Sequence, residues 1–128
     1  MSITFNPSNR IFTLNTAHTT YQMQADAHDY LLHLYYGTRT SGEMDYLLSY
    51  ADRGFSGNPN SAGLDRTYSL DALPQEYPSL GTGDFRNYAL NIKNTDGSWC
   101  CNPTYVSHEI TKGKYTLKGL PSVRAKEE

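Results

Sequence analysis

Three places along this 128-residue chain set a carboxylate close to a guanidinium: Asp52 with Arg53, Asp65 with Arg66, and Asp84 with Arg86. Aromatic rings follow or intervene, at Phe55, Tyr68 and Phe85. These groups suit a sugar: carboxylate and guanidinium forks hydrogen-bond its hydroxyls, and a ring face covers its C–H patch. The same residue types also build loops. Asp52, Asp65, Asp71 and Asp84 suit turns and caps, and Arg53, Arg66 and Arg86 suit bonds to loop carbonyls and acids. Other chemistries find little support. His18, His28, His33 and His108 are scattered, and no GxSxG elbow supports a nucleophilic triad. No CxxC, HExxH or paired-histidine spacing implies a metal, and no cofactor is implied. His33 reads as a hydrogen-bonded core residue, and Trp99 as a buried anchor beside a hairpin. Cys100 and Cys101 are adjacent. Neighbouring strand residues face opposite ways, so both read as free thiols, which fits a cytoplasmic protein.

The elements that must position these groups read as strands. Ile11–Asn15 places Phe12 and Leu14 on one face. Thr19–Gln24 places Tyr21 and Met23 on one face and Thr20, Gln22 and Gln24 on the other, a half-buried antiparallel pattern. Tyr30–Tyr36 is more continuously apolar and predicts a central strand buried on both faces. Short links between them predict an up-and-down meander. Further strands are expected at Tyr88–Lys93, Ser98–Cys101, Tyr105–Ile110 and Tyr115–Leu117, with tight turns at Asn94–Gly97 and Lys112–Lys114. Met44–Tyr50 fits either a strand or one or two helical turns. The fold class is all-β, and an antiparallel β-sandwich fits best. Between Gly37 and Tyr88 lies a long irregular segment holding seven of the ten Gly and seven of the thirteen acids. So long a connection is usually functional or docked on another surface, and all three acid–arginine pairs fall in it.

Composition sets outer bounds. The length predicts one domain, residues 1–128. The hydrophobic share is 38% and includes eleven Tyr, so the core is thin in aliphatics and leans on tyrosine. A net charge of −2 and an aromatic share of 12% argue against disorder. Eleven basic and thirteen acidic residues are spread along the chain, with no basic stripe for nucleic acid. No apolar run is long enough for a membrane helix, and MSITFNPSNR is not a secretory signal.

The runs MSITFNPSNRIFTLNTAHTTYQMQ, YLLHLYYG, DRGFSGNP, DRTYSLDALPQEYPSLGTGDFR and YTLKGLPS together resemble, in order, the N-terminus of bacterial α-galactosidases of glycoside hydrolase family 36, of melibiase or raffinose type. The match covers Met1 to about Ser122. The run from Asp65 to Arg86 is long and chemically unusual, and it carries most of the specificity. Tyr36 stands where the family commonly has tryptophan, Arg39–Tyr50 is variable, and the polar tail Val123–Glu128 departs from the family's continuing strand.

The resemblance implies that the chain is the opening portion of a β-supersandwich, followed in the family by a (β/α)₈ barrel. The two aspartates of the retaining chemistry lie in that barrel, so no catalytic residue is expected here and the chain alone is expected to be inactive. The polar tail suggests a truncated piece. The resemblance also implies that the DRGFSGNP loop reaches the barrel mouth, with Asp52 touching the galactose and Arg53 positioning the loop. The expected partners are α-galactoside sugars such as melibiose and raffinose, the catalytic barrel, and further copies in a homo-oligomer. Two other readings stay open: a stand-alone sugar-binding module, and a purely structural domain whose loops serve oligomer contacts.

Overall fold

A computed structural model of the chain describes residues 1–55, 57–113 and 117–121. Four strands form one antiparallel sheet in chain order: β1 (Ser2–Asn6), β2 (Ile11–Asn15), β3 (Thr19–Ala25) and β4 (Leu31–Thr38). The all-β, antiparallel expectation holds, and the described residues contain no α-helix. β1 was not anticipated, although Ile3 and Phe5 alternate with polar neighbours. It pairs in register with β2, setting Phe5 opposite Phe12, which in turn faces Met23 of β3. The β3–β4 ladder shifts register at Gln22/Met23, bringing Met23 opposite His33.

Two strand assignments need correction. β4 lies at the end of the sheet order, and only Leu32 and Leu34 are buried, while Tyr36 is 68% exposed. The apolar run misleads because its rings are amphipathic: Tyr and His bury one edge and keep a polar tip wet. The outer edge of β4 is closed by residues 74–76 rather than by a strand. His33 donates its N–H to the Pro74 carbonyl at 2.7 Å, and Glu76 donates to Leu31 at 2.9 Å. β3 is the second correction, since its polar face is the deeper one, with Thr20 and Gln22 essentially inaccessible. The stretch after β4 folds over them. Gln22 donates to the Gly42 carbonyl at 2.8 Å and accepts from the Met44 N–H at 3.1 Å, and Thr20 accepts from the Thr40 N–H at 3.0 Å. These side chains act as the ladder that the crossing backbone lacks.

The long segment after β4 is docked, and it builds the core. Tyr30, Leu32, Ala62, Tyr68, Leu70 and Leu73 cluster, with Leu48 packed against them. Met44–Tyr50 resolves into a single 3₁₀ turn at Asp45–Leu47, and a second spans Asn60–Ala62. Tyr68 donates its hydroxyl to the buried Asp26 carboxylate, whose Oδ1 accepts the N–H groups of His28 and Tyr30, both at 2.9 Å. Burial first, then the Asp26 hydrogen bond, push the Tyr68 phenol far above its ordinary range.

Residues 88–113 form no strand, against expectation. Alternation makes a strand only where a partner completes the hydrogen-bond ladder, and among the described residues this stretch forms one isolated bridge, Ser79 to Leu90. The Asn94–Gly97 turn is present: Gly97 takes φ 87°, and Asn94 donates its N–H to Ser98 at 2.8 Å. Tyr105–Ile110 lies against the sheet as a strap. Tyr105 donates its N–H to Asp29 at 2.7 Å, and the His108 ring sits 4.3 Å from Phe5 and 4.8 Å from Phe12. Of the expected strand Tyr115–Leu117, Tyr115 and Thr116 lie outside the described residues, as do Lys114 of the preceding turn and the tail Val123–Glu128.

Candidate functional site

Asp52 and Arg53 stand on an exposed stretch, Ala51–Phe55, between the 3₁₀ turn and the core-forming segment. Gly54 takes φ 75°, a conformation that costs a side chain energy, and its N–H bonds back to Asp52 Oδ1 at 2.8 Å. This Asx turn throws Phe55 fully into solvent. The guanidinium that meets Asp52 is not that of its neighbour. Arg66 Nε lies 3.2 Å from Oδ2, and Arg66 Nη2 donates to Oδ1 at 3.3 Å. Arg53 is exposed, and no hydrogen bond or ion pair involves it among the described residues.

The other two pairs serve the scaffold. Asp65 does not meet Arg66. Its carboxylate accepts the Thr67 N–H at 2.9 Å and the Thr67 hydroxyl at 2.6 Å, and these bonds hold it below the usual carboxylate range. Asp84 and Arg86 do pair. Arg86 Nε donates to Oδ1 at 2.9 Å and Nη2 to Oδ2 at 2.8 Å, while Nη2 also reaches the carbonyls of Leu70 and Leu73. Gln75 adds a bond to Asp84 Oδ2 at 2.9 Å. Burial alone would raise the Asp84 carboxyl, but the bonds and charge of Arg86, with Gln75, outweigh it and lower it. The pair therefore staples residues 70–75.

Trp99 is half-exposed beneath Lys93, whose Nζ lies 5.7 Å from the ring centre, so it is no buried anchor. His33 is half-buried and bonded through Nδ1 to Glu76 at 3.1 Å. Both cysteines are free thiols. A cleft of about 490 Å³ is lined by His28, Asn58, Asn60, Thr82 and Asn102 among others, and it does not include Asp52 or Arg53. No cluster of three metal-ligating side chains occurs among the described residues, and no helix there is long and apolar enough to cross a membrane.

An exposed carboxylate already forked to an arginine can accept a hydroxyl. Sequence reasoning set Arg53 beside Asp52, whereas the structure sets Arg66 there. The clue was present in the second acid–arginine motif, yet spacing alone cannot tell a neighbouring guanidinium from one fourteen residues on.

Comparison with known proteins fixes the lineage. Residues 29–128 match the family model described as the glycosyl hydrolase family 36 N-terminal domain. The whole chain is 66% identical to the bifunctional alpha-galactosidase/sucrose kinase AgaSK of Mediterraneibacter gnavus, covering 14% of it, and 38% identical to alpha-galactosidase AgaA of Geobacillus stearothermophilus, covering 17%. Among solved structures, the galactosidase domain of AgaSK superposes with a TM-score of 0.93 at 67% identity, over 97% of this chain and 17% of that one. A substituted AgaA from Geobacillus stearothermophilus in complex with raffinose gives 0.82 at 37% identity, over 92% and 16%. The chain thus spans about one-sixth of the length of these relatives. With its strands, its Asp52 loop and its stapled core all lying within the stretch shared with these relatives, the chain belongs to the glycosyl hydrolase family 36 N-terminal domain family.

Proposed function

We propose that this chain is the non-catalytic N-terminal domain of a retaining α-galactosidase acting on oligosaccharides such as melibiose and raffinose, and that it lends the enzyme a sugar-facing loop. The observation that carries this reading is the Asp52 loop. It projects from a stapled core, keeps a half-exposed carboxylate, and puts Phe55 wholly in solvent. A carboxylate at the pocket mouth holds a sugar hydroxyl, while the two reacting carboxylates, about 5–5.5 Å apart in a retaining enzyme, belong to a barrel domain. The nearly fully exposed Leu64, Phe85 and Val106 suit contacts with that barrel or with further copies of the subunit. The two free thiols suit a cytoplasmic setting.

The test replaces the matching stretch of the Mediterraneibacter gnavus enzyme with this chain. The hybrid is expected to hydrolyse an aryl α-galactoside, and Asp52→Ala is expected to raise its KM about tenfold, the value of one charge-assisted hydrogen bond. An inactive hybrid, or an unchanged KM in Asp52→Ala, contradicts the reading.

A further inference from the structure

We propose that Arg66 is the positioning residue for Asp52; this rests on the reading of Asp52 as a sugar contact. Asp52 lies on an exposed stretch, whereas Arg66 springs from an anchored one. On one side of Arg66, Asp65 caps the Thr67 N–H, and its carbonyl accepts the Asn58 side-chain amide. Two residues beyond, Tyr68 is locked into the core by its bond to Asp26. The guanidinium therefore reaches outward from a fixed base and meets the carboxylate side-on, through Nε and Nη2.

The acceptor arithmetic gives the arrangement its consequence. A carboxylate offers about four lone-pair sites. Oδ1 is filled by the Gly54 N–H and Arg66 Nη2, and Oδ2 faces Arg66 Nε. Oδ2 accepts no hydrogen bond among the described residues, so it is the oxygen left to take a sugar hydroxyl. Without Arg66 the Asp52 side chain would rotate among rotamers, and binding would have to restrict it each time.

The test uses the hybrid enzyme and a double-mutant cycle. Arg66→Ala is expected to raise KM about tenfold with kcat within twofold. Arg66→Lys, which keeps the charge without the planar fork, is expected to raise it about threefold. Because Arg66 acts through Asp52, the Asp52→Ala/Arg66→Ala enzyme is expected to be no worse than Asp52→Ala alone. An Arg66→Ala enzyme with unchanged KM beside an impaired Asp52→Ala enzyme overturns the positioning role and spares the sugar-contact reading. Multiplicative losses in the double variant overturn it too. An unchanged KM in Asp52→Ala instead removes the reading on which the role rests.

Discussion

At the scale of single residues, the acids of this chain divide by what surrounds them. Asp84 is buried and held by Arg86, so its carboxyl titrates below its unfolded value, near 3.9 for a free aspartate. A depressed carboxyl adds stability above that unfolded value, and the gain is lost as pH falls through the folded one. Arg86→Ala is therefore expected to destabilise the chain by about 2 kcal/mol near pH 7, since it strips the buried carboxylate of its main partner. It is also expected to flatten the acid side of the stability profile, because the remaining carboxylate gains less from ionising. Thermal melts between pH 3 and 7 check both, and a variant as stable as the parent at pH 7 would refute the staple. Asp52 had to be separated from Asp84 by environment. Both sit beside an arginine in the sequence, but one proves to be a staple and the other a surface carboxylate whose arginine comes from elsewhere.

At the scale of elements, alternation located β2 and β3 but mistook which face of β3 goes deep. Periodicity reports only that two faces differ. Here the backbone of residues 40–44 lies across the sheet and needs side-chain partners, so Gln22 and Thr20 are buried for their hydrogen bonds. Gln22→Leu is expected to destabilise the chain by about 2 kcal/mol despite its greater hydrophobicity, since it orphans the Gly42 carbonyl and the Met44 N–H. A urea titration in which Gln22→Leu unfolds later than the parent would contradict this. The strands expected within residues 88–110 failed for a related reason. Tyr88–Lys93 and Tyr105–Ile110 alternate as strands do, but a single sequence does not say whether a ladder partner lies nearby. The turn at Asn94–Gly97 was legible because its geometry is local and Gly97 supplies the positive φ.

At the scale of the whole molecule, the core forms between one sheet and the segment that follows it, and a broad apolar surface stays exposed, including Phe55, Leu64, Phe85 and Val106. That surface explains the thin aliphatic composition, since the chain spans only a small share of the relatives it matches and many of its contacts are proposed to fall on other polypeptide. The purified chain alone is expected to leave an aryl α-galactoside unhydrolysed in overnight assay; turnover there would contradict the non-catalytic reading. The account as a whole turns on where Asp52 sits relative to sugar. The most direct measurement is a crystal structure of the hybrid enzyme with a bound α-galactoside. The account predicts Asp52 Oδ2 about 3 Å from a galactosyl hydroxyl, with Arg66 still forked to the same carboxylate. A galactosyl group bound in the barrel with Asp52 beyond hydrogen-bonding reach of it would contradict the account.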